Sequence, residues 1–256
     1  MAAITPHVRW GSRDVDWTWV PESATEMANV ARRMVGEGLG VLAFTFLAGS
    51  AIVIDNTTNG GLGLLGMAVA TGLAYALVVF ALYPVTGGHI NPAVTLGQVT
   101  ARRMPPSIGA LYIGAQAVGG VVGALLLELI FRDFLADVAR TASLSFNPAM
   151  DGWTGGFLEA ILTFVLVTVY FRGFLDRGSD PSVGAVAMGL VVMFSFLVAF
   201  PLTGAALNVT RVFGTDLVAN YWTDFFWYWI GLIGGVVAGL GYEYLFAARE
   251  EESATQ

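Results

Sequence analysis

The chain has 256 residues, of which 56% are hydrophobic and 12% charged, and its formal net charge is −7. Soluble domains carry about 25% charged residues, so this composition excludes a soluble fold and points to one continuous membrane domain. Cysteine and lysine are absent and there are two histidines, His7 and His89, which excludes disulfides, thiolate chemistry and a histidine-rich metal site. The acidic balance argues against nucleic-acid binding.

In chain order, residues 1–33 read as a polar arm. Arg9, Arg13, Asp14, Asp16, Glu22 and Glu26 interrupt it, so it lacks the apolar core of a signal peptide. Trp10, Trp17 and Trp19 suit a membrane surface. Ser23 and Glu26 have capping-box spacing, which predicts a helix starting near Ala24. Six apolar runs then follow near 34–54, 62–83, 107–131, 155–174, 183–200 and 224–246. Each has the length of about 20 residues that a bilayer core demands. Two shorter segments lie between full spans, one after Asn91 (Pro92 to Thr100) and one after Asn208 (Val209 to Gly214). At about ten residues each they reach roughly 15 Å, half a membrane. Two such half-helices meeting end to end make one more crossing. The membrane domain is thus expected over 34–246, followed by a charged, solvated tail over 247–256.

Arginines set the orientation. Arg9, Arg13, Arg32, Arg33, Arg102, Arg103, Arg172, Arg177 and Arg249 fall on one side of a six-span arrangement, against Arg132 and Arg140 in loops on the other, along with Arg211 in the second short segment. The positive-inside rule then predicts both termini in the cytoplasm. The two halves also read as a repeat. Glu37 in the first span precedes Asn91 by 54 residues, and Glu159 in the fourth precedes Asn208 by 49. An odd number of spans per half inverts the second half, and inverted repeats place their site at the midplane, where broken helices meet. The predicted fold is an all-α membrane protein with six transmembrane helices and two half-spanning re-entrant helices.

At Gly88-His89-Ile90-Asn91-Pro92-Ala93-Val94-Thr95 the sequence resembles the first signature of the aquaporin, or major intrinsic protein, family. Thr203-Gly204-Ala205-Ala206-Leu207-Asn208-Val209-Thr210-Arg211 resembles a degenerate second copy. In the family that copy usually reads Asn-Pro-Ala-Arg; here Val209 and Thr210 stand in place of the proline and alanine. Glu37, Glu159, Ala115-Gln116 and Trp229-Ile230-Gly231 extend the resemblance over residues 34 to 246. Asparagine is a preferred N-cap and proline suits the first helical position. A cap that holds the asparagine backbone leaves its amide free to donate hydrogen bonds to a passing water. Both half-helix N-termini carry roughly half a positive charge toward the pore centre, which repels cations while water passes.

The resemblance implies a passive water channel that excludes protons and ions, needs no cofactor and assembles as a homotetramer in the cell membrane. It implies that Arg211 lines the narrowest point near the outside mouth and that Glu37 and Glu159 are structural braces. His89 belongs beside the inner vestibule. Counting from the two asparagines by the family's spacing gives an outer filter of Thr71, Phe196, Ala205 and Arg211. That set matches neither the phenylalanine–histidine pair of water-selective members nor the tryptophan, glycine and phenylalanine of glycerol-conducting ones. A facilitator of glycerol, urea or ammonia therefore stands as the alternative. A secondary transporter lacks a coupling site beyond two brace-like glutamates, and the sequence leaves open a structural protein closed by the acidic arm. There is no nucleophile–base set or phosphate loop to suggest an enzyme. Val209 lacks proline's fixed φ, which predicts that Asn208 is held less tightly than Asn91.

Overall fold

The computed structural model describes residues 21, 23–175, 179–242 and 244. The arm ahead of residue 21, Glu22, Arg177 and the tail from residue 245, with Arg249, lie outside the described residues. Among those described, the order is α1 (Ala24–Thr57), α2 (Gly63–Thr86), α3 (Pro92–Thr100), α4 (Pro106–Phe131), α5 (Val138–Ala142), α6 (Gly152–Phe174), α7 (Pro181–Thr203), α8 (Val209–Ala219), α9 (Phe225–Tyr228) and α10 (Gly231–Tyr242). Six spans are long and apolar enough to cross a membrane, the last formed by α9 and α10 together.

Local signals set most of the boundaries. The Ser23–Glu26 capping box forms, and α1 starts at Ala24. Asp55 near the end of α1 accepts from the amides of Leu62 and Gly63 at 3.1 and 2.7 Å, anchoring the start of α2. Asp151 caps α6 through the Thr154 amide at 3.0 Å and also bonds the Thr154 hydroxyl at 2.6 Å. Those bonds, the hydroxyl's first, hold this exposed carboxyl below the usual range. Asp180 caps α7, which opens with Pro181 at its first position. Pro84 and Pro201 sit inside the last turns of α2 and α7, and each helix stops at a left-handed glycine, Gly87 or Gly204.

The sixth span departs from the continuous helix read over 224–246. It breaks between α9 and α10, where the amides of Trp229, Ile230, Leu232 and Ile233 each bond the carbonyl three residues back. That is 3₁₀ geometry, a tighter turn than the α-helix on either side. The second half-helix is longer than the run to Gly214 suggested. It reaches Ala219 and ends at Asn220 in the left-handed region.

The short helices α3 and α8 hold 9 and 11 residues, about 14 and 17 Å long at 1.5 Å per residue. Placed end to end they match one bilayer core of roughly 30 Å. The halves interlock. Within each, the first helix packs on the second and third, as α1 on α2 and α4, and α6 on α7 and α10. Each half-helix, however, packs on the last span of the other half, α8 on α4 and α3 on α10. Glycine makes these approaches possible. A Cβ on Gly120 of α4 would collide with the Thr210 carbonyl of α8, and one on Gly235 of α10 with the Ala93 carbonyl of α3. Small residues at crossings let backbones touch where lipid offers no hydrophobic drive. Large apolar side chains such as Leu77 and Phe80 remain exposed on the outer surface, as a lipid-facing wall requires.

Overpacking a tight contact costs about 1–3 kcal/mol. Gly120→Ala is therefore expected to lower thermal stability in detergent by that order. Gly114→Ala on the same helix, where an added Cβ meets nothing within 4 Å, is expected to be neutral or slightly stabilising. Equal midpoints for the two variants would contradict the interlocked packing.

Candidate functional site

The two re-entrant loops are built alike, almost atom for atom. After Gly87 the Thr86 hydroxyl accepts from the Gly88 amide at 2.9 Å. After Gly204 the Thr203 hydroxyl accepts from the Ala205 amide at 3.3 Å. Tyr112 donates its hydroxyl to the Thr86 carbonyl at 3.0 Å, and Tyr228 to the Thr203 carbonyl at 2.6 Å. One residue before each asparagine the backbone turns left-handed, with φ 41° at Ile90 and 51° at Leu207. For a β-branched residue such as Ile90 that conformation is an outlier, and strain of this kind costs about 1–3 kcal/mol.

Glu37 and Glu159 meet those loops. Glu37 accepts from the His89 and Ile90 amides at 3.1 and 2.7 Å. Glu159 accepts from the Ala206 and Leu207 amides at 3.0 and 2.8 Å. Each has a further side-chain donor, Gln116 at 2.7 Å on Glu37 and the Thr203 hydroxyl at 2.6 Å on Glu159. Both glutamates are buried. A buried backbone N–H left unpaired costs free energy comparable to a lost hydrogen bond, so each carboxylate satisfies the two amides that the loop turns away from helical geometry.

Asn91 and Asn208 cap α3 and α8, and they are also tied to each other's loops. The Asn91 Nδ2 donates to the Leu207 carbonyl at 2.9 Å, and the Asn208 Nδ2 donates to the Ile90 carbonyl at 2.7 Å. These reciprocal bonds bring the half-helix N-termini together and use one of the two N–H groups on each amide, leaving the other. The oxygens differ. Asn91 Oδ1 accepts from the Ala93 amide at 2.8 Å. Asn208 Oδ1 accepts from the Thr210 amide at 3.1 Å, the Thr210 hydroxyl at 2.7 Å and, more weakly, the Arg211 amide at 3.4 Å. The structure thus reverses the expectation of a looser Asn208. The lost proline is accompanied by a hydroxyl that bonds the cap directly.

Arg211 is 1% exposed, and none of its three guanidinium nitrogens has a hydrogen-bond partner among the described residues. Its guanidinium carbon stands 5.7 Å from the centroid of the Phe44 ring, within cation–π range. Spacing from the asparagines does not point to Phe44; the signal was an aromatic residue seven positions beyond Glu37 on α1. Of the expected filter set, Phe196 is fully buried, stacked on Phe200 at 4.2 Å and clustered with Met67, Ala206, Val209 and Val212. It thus packs beside the neighbours of Ala205 and Arg211. Ala205 has a left-handed φ of 48° and is buried. The Thr71 hydroxyl is buried without a partner among the described residues, as is the Tyr75 hydroxyl, one helical turn along α2. Tyr75 is a further residue that the spacing argument missed.

His89 lines a cavity of about 310 Å³ with Arg33, Tyr83, Gln98, Arg103 and Tyr112. Its Nδ1 is 3.1 Å from the Thr95 hydroxyl, and its ring packs edge-on against Tyr170.

Residues 24–242 match the family described as "Major intrinsic protein". The chain belongs to the major intrinsic protein family. Among its relatives, "Aquaporin TIP4-4" of Zea mays is 36% identical over 229 residues, covering 87% of this chain and 89% of that one. "Neurogenic protein big brain" of Drosophila melanogaster is 33% identical and covers 85% of this chain but 31% of its own longer length. The crystal structure of the aquaglyceroporin from Plasmodium falciparum superposes with a TM-score of 0.75 at 25% identity, covering 84% of this chain and 96% of that one. The aquaporin fold predicted from the two signatures is therefore the observed one, and the protein is a multi-pass membrane protein.

Both Glu159 oxygens accept hydrogen bonds, so Glu159→Gln turns one acceptor into a donor facing a donor. Hydrogen bonds to a charged group contribute about 1.5–3 kcal/mol. The variant is expected to lose stability of that order, read as a lower unfolding midpoint in detergent; an unchanged midpoint would contradict the brace.

Proposed function

We propose that the protein is a passive channel conducting water, with protons and ions excluded at the meeting point of α3 and α8. The observation that carries this reading is the reciprocal pair of asparagine bonds, Asn91 to the Leu207 carbonyl and Asn208 to the Ile90 carbonyl. With one N–H on each amide so used, the second is the donor offered to water. Two donors at one level occupy the oxygen of the central water and turn its hydrogens outward. That breaks the hydrogen-bonded chain along which a proton would hop. The half-helix N-termini add roughly half a positive charge each at the same level, and Arg211 adds a full charge one turn further out. An intramembrane charge by default faces a cavity or a partner.

Buried polar atoms are normally hydrogen-bonded. The Thr71, Tyr75 and Arg211 groups, buried without protein partners among the described residues, are the bonding sites that passing water would use. Thr71, Phe196, Ala205 and Arg211 form the outer filter, and Phe44 braces the arginine from α1. His89 lines the inner vestibule. Arg33 and Arg103 share that vestibule cavity, which supports a cytoplasmic inner mouth by the positive-inside rule. Both termini then lie in the cytoplasm, and the assembly is a homotetramer with one pore per protomer in the cell membrane. The combination of Thr71 and Ala205 favours a second reading, a facilitator of glycerol, urea or ammonia, because neither side chain narrows the filter as an aromatic ring does.

Purified protein in liposomes is expected to speed osmotic shrinkage over empty vesicles in light scattering. Glycerol and urea uptake in the same vesicles separates the two readings. Arg211→Val removes one charge from the constriction. The interaction of two unit charges 4 Å apart at an effective dielectric near 20 is about 4 kcal/mol. At 1.4 kcal/mol per factor of ten, cation leak is therefore expected to rise by up to about a thousandfold while water flux persists. Shrinkage no faster than empty vesicles would refute the channel.

A further inference from the structure

We propose that the Thr210 hydroxyl is the positioning group that holds the Asn208 amide in place at the head of the second half-helix, which lacks the proline of the first. The proposal rests on the channel reading above and goes beyond it to one residue.

Proline at the first helical position pre-sets φ near −65°. It thereby aims the next amide at the cap oxygen, as seen at Asn91, where Pro92 is followed by the Ala93 amide at 2.8 Å. At Asn208 the first position is Val209, whose φ is not locked. Here the second position carries a hydroxyl that donates to the same cap oxygen at 2.7 Å, a favourable O–H···O length. In a helix a threonine hydroxyl has two favoured χ1 positions; the buried Thr210 uses the one that bonds the cap oxygen.

The amide is better paired in one orientation than in the other. In the observed orientation Asn208 Oδ1 faces three donors and Nδ2 faces the Ile90 carbonyl. A flipped amide would set N–H against N–H at Thr210 and oxygen against oxygen at Ile90. A hydroxyl can donate or accept, so the backbone amides and the Ile90 carbonyl set the orientation, while the hydroxyl, the shortest of the three oxygen contacts, holds the carboxamide against them; its removal frees the amide to swing. A flipped Asn208 would present an acceptor to the lumen, let a water point a hydrogen inward, and restore a path for protons.

The test measures proton flux, with a pH dye inside proteoliposomes, alongside osmotic water flux. Four proteins are compared: the unmodified chain, Thr210→Val, Thr210→Ser, and the double variant Val209→Pro with Thr210→Ala. A single hydrogen bond of this kind contributes about 1 kcal/mol, and 1.4 kcal/mol is a factor of ten. Thr210→Val is therefore expected to raise proton flux up to about tenfold with water flux retained. Thr210→Ser restores the hydroxyl and is expected to exclude protons as the unmodified chain does. The double variant restores the proline and is expected to do the same. Wild-type exclusion in Thr210→Val, or a serine variant as leaky as the valine one, overturns the proposal. If Thr210→Val fails to assemble, Thr210→Ala alone takes its place. The alanine variant leaking more than the double variant then supports the proposal, and equal leak in the two overturns it. An unmodified chain without water flux refutes the channel itself, which is a separate result.

Discussion

Backbone that leaves helical geometry inside a bilayer has no water to bond, and it persists only where protein groups satisfy it. In this protein two carboxylates supply those groups. Glu37 and Glu159 each accept from two successive amides immediately ahead of an asparagine. They hold Ile90 and Leu207 in a left-handed conformation that neither residue favours. Without these bonds the loops would not present the asparagines as caps, and the half-helices would not point their N-termini at each other. The meeting point, the two opposed dipoles and the placement of the arginine beyond them all depend on those four amide bonds.

The repeat is close but not exact, and its departures fall where function would notice them. Both loops use threonine, tyrosine, left-handed glycine and glutamate in the same order and with matching bonds. They differ in the first turn of the half-helix, where Pro92 and Ala93 face Val209 and Thr210. A hydroxyl bond to the cap oxygen accompanies the missing ring. They differ again around the arginine, which α8 carries and α3 does not. Phe44 reaches it from α1 and Phe196 packs nearby from α7, so elements of both halves of the chain surround it.

Much of this was legible in the sequence because the bilayer imposes coarse rules. Run length gave the six spans, and the unusual brevity of two apolar segments gave the half-helices. Ser23 and Glu26 marked the start of α1 through a capping box that forms. The paired spacing of Glu37 to Asn91 and Glu159 to Asn208 marked the repeat. The details that failed depend on tertiary geometry that spacing does not carry. The 3₁₀ break at Trp229–Ile230 leaves no proline or glycine run to announce it, only Gly231 at its end. Val209 was read for what it lacks, while the compensating bond needed the χ1 of Thr210 to be known. Phe44 lies on α1, which carries neither asparagine, so counting from Asn91 and Asn208 did not reach it.

In the proposed channel, water moves through the protein by exchanging hydrogen bonds with fixed donors, rather than dissolving in hydrocarbon. The temperature dependence of osmotic shrinkage in proteoliposomes tests this most directly. Flux through such a file is predicted to rise with temperature about as gently as diffusion in bulk water does. A dependence as steep as that of empty vesicles would mean that water crosses the lipid, and would contradict the account.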